Sequence, residues 1–262
     1  MKSKYLLFPL MFSLVLFIGW KTPDNDWIVK TQNPYGLYYT SADNKNLNEY
    51  QDLIDKGLVS VKSFFNYTSI KQFNVFIHPN RNSLDTTWQK QFKMPDFKSQ
   101  CWMVASGVAT RLDAISPKMW EAEACEHTYS NTRQTQNLIT HELVHVYHGQ
   151  MNASGDFATV EGIDWFVEGL AAYASGQCDS LRISQVKKAI TDNKLPNGLD
   201  NFWTGKLKYG LSGSVVMFID NKYGRNKLKE LLPLTNKLQI LSALNTTETE
   251  LINNWKKYLQ KL

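Results

Sequence analysis

The 262-residue chain has no low-complexity tract, no internal repeat and no long block of like charges. These are the usual marks of disordered and repeat proteins, so their absence favours an ordinary globular chain. With 43% hydrophobic and 13% aromatic residues, the chain can bury a core as one large domain or two small ones.

Clusters of positive charge are also lacking. The net charge is +5, but Lys2 and Lys4 lie in residues 1–20, a segment without acidic residues, and the remainder carries +3. The other lysines are scattered along the chain, and those near the end, such as Lys227, have the spacing of solvated helix faces. Nucleic-acid binding, which requires a basic patch or stripe, is therefore not predicted.

Cysteines are few, and their number, three, is odd. In an exported protein the simplest arrangement is one disulfide and one free thiol, and the sequence does not decide the pair. We prefer Cys101 with Cys125, because both flank the same predicted β region, which leaves Cys178 free.

Residues 1–20 have the plan of a secretory signal peptide: a short basic start, an apolar run over 5–20 and then a polar stretch. An apolar run of 16 residues is shorter than the roughly 20 needed to span a bilayer. Since no A-x-A cleavage site precedes Gly19 and no lipid-accepting cysteine follows, an N-terminal anchor is the alternative. Either way we expect a secreted, periplasmic or cell-surface protein, which contacts a membrane only if the segment stays uncleaved.

Hydrophobic periodicity predicts an α+β fold in a single domain over 27–262. Its first lobe, about 27–130, is expected to be β-rich, and its second, about 131–262, to be helical. Strands are predicted at 36–40, 71–79, 101–107 and 108–116, and helices at 47–65, about 84–92, 132–149, 160–175, 184–193 and 212–224. A capping box of Thr247 and Glu250 opens the last helix.

The stretch THELVHVYHG, residues 140–149, contains three histidines and a glutamate. On a helix, His141 and His145 are one turn apart and point the same way, so both imidazoles can reach one zinc ion. Glu142 lies about 100° round the helix, where it can take a proton from a water on the metal. Three fixed residues also occur by chance in many proteins, so the motif needs support from elsewhere.

His148 lies on the same stripe as His141, but roughly 10.5 Å along the helix axis. Ligands spread over that length cannot converge on one ion, so His148 is predicted to be an outer-sphere, cleft-lining or surface residue. Metzincins need glycine at 148 and histidine at position 151, where this chain has His148 and Met151, and that class is excluded.

The third ligand is sought in VEGIDWFVEGLAAYASG, residues 160–176, whose carboxylates are Glu161, Asp164 and Glu168. This segment resembles the second helix of gluzincin zinc metallopeptidases, in the exported thermolysin-like branch often called peptidase MA-like. The branch motif W-x-x-E-G-x-A-x-Y is matched by Trp165, Glu168, Gly169, Ala171 and Tyr173.

The resemblance implies one zinc ion per chain, held by His141, His145 and Glu168, with 22 residues between the last two. Asp164, after 18 intervening residues, is the competing third ligand. If Glu168 is the ligand, Asp164 is expected to hydrogen-bond a ligand histidine.

The resemblance also implies a thermolysin-like zincin domain in which an edge strand, matched to 107–117, pairs with an extended peptide or protein substrate. Relatives use a downstream tyrosine to stabilise the oxyanion, for which Tyr209 is the first candidate and Tyr223 the second. Simple packing of Tyr209 against the core is the alternative.

The predicted activity is zinc-dependent hydrolysis of peptide bonds, with Glu142 as general base. Because the aminopeptidase signature G-x-M-E-N is absent, an endopeptidase is favoured. One alternative is a zincin scaffold that keeps its metal for binding or structure and cleaves little. Another is a helical protein whose histidines hold no metal.

Overall fold

The computed structural model describes residues 26–262. The predicted signal or anchor, residues 1–20, lies outside this range. No helix within 26–262 combines the length and the apolar character that a membrane span requires.

A five-stranded mixed sheet forms the first half of the described chain. The strands are β1 Ile28–Thr31, β2 Tyr35–Tyr39, β3 Phe73–His78, β4 Ala105–Val108 and β5 Arg111–Ile115, in the spatial order β1-β2-β3-β5-β4. The inner pairs β2–β3 and β3–β5 are parallel, whereas β1–β2 and β4–β5 are antiparallel. Alternate side chains of β3, namely Phe73, Val75 and Ile77, are buried, as expected for a strand with one face on the core.

The predicted edge strand 107–117 is corrected by this topology. The segment spans a hairpin, in which β4 forms the edge of the sheet and β5 lies between β3 and β4. The turn falls at residues 109–110. Of the two strands of this hairpin, only β4 therefore has an edge that another extended chain can pair with.

Within residues 26–262, ten α-helices surround or follow the sheet. Their bounds are α1 Leu47–Phe65, α2 Arg81–Gln91, α3 Trp120–Glu123, α4 Thr132–Met151, α5 Asp164–Ala174, α6 Ser180–Thr191, α7 Lys208–Tyr223, α8 Arg225–Leu231, α9 Lys237–Ala243 and α10 Glu248–Lys261. The fold is mixed α and β, which agrees with the predicted α+β class. The helices α1 and α2 correspond to those predicted over 47–65 and about 84–92.

Local signals set several of these helix boundaries. Asn131 caps α4 by accepting a hydrogen bond from the backbone N–H of Gln134, and the predicted capping box of Thr247 and Glu250 opens α10. The helix predicted over 160–175 begins only at Asp164, because Gly162, with a φ of +64°, holds the preceding backbone in a left-handed turn.

The disulfide joins Cys101 to Cys125, the preferred pair, and Cys178 is free and buried. It ties the segment before β4 to the segment that follows α3. The wall of the molecule beside β4 is thus covalently fixed.

Candidate metal site

Helix α4 carries the two candidate histidines in its buried half. Leu143 and Val144, between them, are fully buried in the core, which fixes the rotation of the helix. His141 and His145 are each 6% exposed, and their Nε2 atoms lie 3.0 Å apart. The four-residue spacing therefore aims both rings at one point, as predicted.

Helix α5 brings Glu168 to the same point. Its Oε2 atom lies 3.2 Å from Nε2 of His141 and 3.5 Å from Nε2 of His145. Helix α5 also packs closely against α7, since a Cβ on Gly169 would lie 2.5 Å from the carbonyl oxygen of Ser212. His141, His145 and Glu168 thus form a group that can hold a metal ion.

The spacing of these three atoms fits a small tetrahedral cation. Ligand atoms at about 2.0–2.1 Å from a tetrahedral zinc lie about 3.3 Å from one another, close to the distances of 3.0, 3.2 and 3.5 Å found here. Two imidazole nitrogens and one carboxylate oxygen are also a donor set typical of catalytic zinc.

Electrostatics separates the two glutamates of the site. Burial raises the pKa of Glu168, but the two histidines outweigh this effect and hold the pKa below its ordinary value. For Glu142, burial dominates and raises the pKa to about 7, against the lowering effects of His141 and of the Gly107 N–H. Glu168 is thus the carboxylate that stays ionised, and Glu142 the one poised to exchange a proton near neutral pH.

Strand β4 crosses α4 directly above Glu142. A Cβ on Gly107 would lie 2.2 Å from the backbone carbonyl oxygen of Glu142 and 3.1 Å from the Cβ of His145. Only glycine allows this approach, which also brings the Gly107 N–H to the Glu142 carboxylate. The general-base candidate therefore lies beside the free edge of the sheet.

Asp164 is not part of the group that could hold the metal. It lies at the first residue of α5, one turn before Glu168, and is exposed. The predicted hydrogen bond to a ligand histidine is absent, because the Nδ1 atoms of His141 and His145 have no partner among residues 26–262. Asp164 is one of the side chains that line the cleft.

His148 corrects another prediction. It is neither at the surface nor in the cleft but completely buried, and its Nε2 lies 3.2 Å from the carbonyl oxygen of Leu232, to which it donates. The rings of Phe157 and Phe166 pack against it. Burial lowers the pKa of His148 to about 3, with a further contribution from His145, so the ring is neutral and structural.

The two candidate tyrosines differ in position. The ring centroid of Tyr209 lies 6.3 Å from that of His141, and Tyr209 lines the cleft. Burial, Glu168 and Glu142 raise its pKa, so its hydroxyl stays protonated. The ring also packs against Trp203. Tyr223, at the far end of α7, is not among the cleft residues.

A cleft of about 550 Å³ opens over the metal-site residues. One end is apolar and is formed by α2 and the segment leading to β4. The residues of this end are Trp88, Phe92, Met94, Phe97, Trp102 and Met103. The cleft also includes His127, which donates to the carbonyl of Trp102. No sequence signal marks these residues as part of a site, because aromatic residues in an irregular segment have no periodic pattern.

No protein-family model matches the chain, and a search of curated proteins finds no relative. The functional assignment therefore depends on the geometry of the site and on the two helix motifs.

Proposed function

We propose that the protein is an exported zinc-dependent peptidase of the gluzincin type. It would hydrolyse extended peptides at the site formed by His141, His145, Glu168 and Glu142. The observation that carries the proposal is the convergence of Glu168 on the two histidines of α4. A group of this kind without Glu142 would support only metal binding. The adjacent glutamate, which has no ligand role in the group, supports catalysis.

Each residue has a distinct part in the proposed reaction. Bound zinc would supply a Lewis acid that lowers the pKa of a coordinated water to about 7. Glu142 takes a proton from the attacking water and then delivers it to the leaving amine, so one water and one peptide bond yield a carboxylate and a protonated amine. Tyr209, beside His141, donates a hydrogen bond to the oxyanion that develops on the carbonyl.

The free edge of β4 supports a peptide as substrate. An extended chain can pair with the backbone of β4 and so pass Gly107, directly over Glu142. The absence of the G-x-M-E-N signature favours cleavage within a chain over removal of N-terminal residues. The Cys101–Cys125 disulfide supports export, because disulfides persist in oxidising compartments.

Metal analysis combined with Glu142→Gln tests the proposal. We expect one zinc per chain in both proteins, and hydrolysis of casein that falls by about 10²–10⁴-fold in the variant. A zinc-loaded protein that does not cleave casein would favour the alternative of a metal site kept for binding or structure. Hydrolysis unaffected by the substitution would rule out Glu142 as the base.

A further inference from the structure

We propose that Trp102, Trp203 and Tyr209 form a cation-binding subsite of the cleft, which takes the side-chain ammonium group of a lysine in the substrate. The inference names a substrate class for the proposed peptidase and rests on that function for its substrate being a peptide. The binding preference itself is measurable without hydrolysis.

The three rings already surround an ammonium group. The Nζ atom of Lys208 lies 4.0 Å from the ring centroid of Trp102, 4.9 Å from that of Trp203 and 5.3 Å from that of Tyr209. All three distances are within the roughly 6 Å over which a cation is attracted to an aromatic face. Trp203 and Tyr209 meet edge to face, with centroids 5.0 Å apart, so they form two walls of a corner.

The third ring, that of Trp102, comes from a different part of the chain and is held by a disulfide and hydrogen bonds. Trp102 follows Cys101, whose disulfide partner is Cys125, and the Trp102 carbonyl accepts a hydrogen bond from His127. The indole N–H of Trp102 donates to Gln100. A cage with preformed walls loses little conformational freedom when a ligand enters.

The ammonium group of Lys208, which the three rings surround, is not held by a carboxylate. Lys208 takes part in no ion pair among residues 26–262, in contrast to Lys118, Lys188 and Lys237. Lys208 itself is not among the residues that line the cleft, whereas the three rings are. An incoming lysine therefore reaches the same rings from the cleft and competes with Lys208 for them.

The charge of the cleft favours a cationic ligand. Its lining contains no lysine or arginine among the described residues, but it contains four carboxylates, those of Glu142, Asp156, Asp164 and Glu168. A divalent ion at the histidines offsets two of these negative charges, and the cations Lys208 and Arg182 over the Tyr209 ring offset others. A substrate lysine that displaces Lys208 exchanges one ammonium group for another, whereas an acidic side chain is repelled by Asp156 and Asp164.

Isothermal titration with two capped peptides tests the inference. The peptides are acetyl-Ala-Ala-Lys-Ala-Ala-amide and its analogue with norleucine, which has a similar chain but no charge, and the protein carries Glu142→Gln so that the peptides stay intact. We expect the lysine peptide to bind more tightly. Replacing the competitor by Lys208→Met should strengthen binding of the lysine peptide by about two- to fivefold and leave the norleucine peptide unchanged.

Three further variants distinguish cation binding by the rings of Trp102, Trp203 and Tyr209 from general effects of a substitution on binding. Trp102→Leu should abolish the preference for lysine, and Trp102→Phe, which keeps an aromatic face, should restore much of it. Lys222→Met is the matched control, because Lys222 also lies over aromatic rings, those of Phe218 and Tyr223, but away from the cleft. It should change neither affinity.

Equal affinities for the two peptides, or no binding of either, would overturn the inference. A lysine preference that survives Trp102→Leu would also overturn it, because the cation would then bind elsewhere. The proposed function is judged separately by cleavage of casein. Cleavage without a lysine preference rejects the cage alone, and a lysine preference without cleavage rejects the peptidase alone.

Discussion

The Nε2 atom of His141 lies 3.2 Å from the Oε2 atom of Glu168, although the two are 27 positions apart in the chain. Each comes from a different helix, and the Nε2 atom of His145 completes the triangle. Two imidazoles and a carboxylate converge here in a largely buried place. The geometry suits a shared cation, because all three atoms can present lone pairs to one point at the spacing of tetrahedral zinc ligands.

Removal of Glu168 should release the metal. With Glu168→Ala, we expect zinc affinity to fall by more than the roughly 10–100-fold that loss of an outer-shell partner costs. The measurement is zinc content after dialysis against buffers of defined free zinc. Asp164→Asn is the matched control, since it removes a carboxylate one turn away on α5 and should keep the metal. Equal losses in the two variants would contradict the assignment of Glu168 as the ligand.

The helical period alone accounts for the histidine pair. Once 132–149 is recognised as a helix, His141 and His145 must share a face, and the structure agrees. Glu168 could not be chosen over Asp164 by periodicity, because both lie on the same face of α5. The choice came from the resemblance to the gluzincin motif.

Tertiary packing explains what the sequence analysis missed. His148 shares the stripe of His141, but its surroundings come from Phe157, Phe166 and Leu232, which no local pattern brings to it. Two adjacent strands are predicted at 101–107 and 108–116, and the structure has β4 and β5 with the turn at 109–110. Only their pairing partners show that β4 is at the edge and β5 inside.

Replacing the buried acid of Glu142 should stabilise the metal-free protein at neutral pH and above. Its pKa is raised from 4.5 to about 7 by burial, so between these values the folded state holds a proton that the unfolded state has lost. Stability therefore falls as the pH rises from 4.5 to 7. With Glu142→Gln this loss disappears, and we expect a gain on the order of 3 kcal/mol above pH 7 and none below pH 4.5.

Urea denaturation of chelator-treated protein at several pH values measures this difference. Glu49→Gln is a suitable control, because Glu49 lies in the exposed first turn of α1, far along the chain from the site. A gain that is the same at pH 4 and pH 8 would show that the amide acts through packing and not through the proton.

A methyl group at Gly107 should disturb the base and the edge strand together. The new Cβ would lie 2.2 Å from the Glu142 carbonyl oxygen, so β4 must move away from α4, and the Gly107 N–H would leave the carboxylate. For Gly107→Ala we expect a loss of about 1–3 kcal/mol of stability together with a fall in kcat. Urea denaturation and casein hydrolysis measure the two effects. Thr110→Ala, at the exposed turn of the same hairpin, is the control and should change neither stability nor hydrolysis. Wild-type behaviour of Gly107→Ala would refute the close contact between β4 and α4.

His148 should make the protein sensitive to acid. Burial lowers its pKa to about 3, whereas the unfolded chain takes up this proton near pH 6.5. Between these values the unfolded state binds one proton more than the folded state, so the stability that the neutral ring provides is present above pH 6.5 and is lost as the pH falls towards 3.

His148→Phe, which keeps a ring among Phe157 and Phe166 but cannot titrate, should lose the hydrogen bond to Leu232 and be less stable at pH 8. Its stability should nevertheless fall less steeply than that of the wild type between pH 6.5 and pH 4. Parallel pH profiles of the free energy of unfolding for the two proteins would show that His148 is not the group responsible.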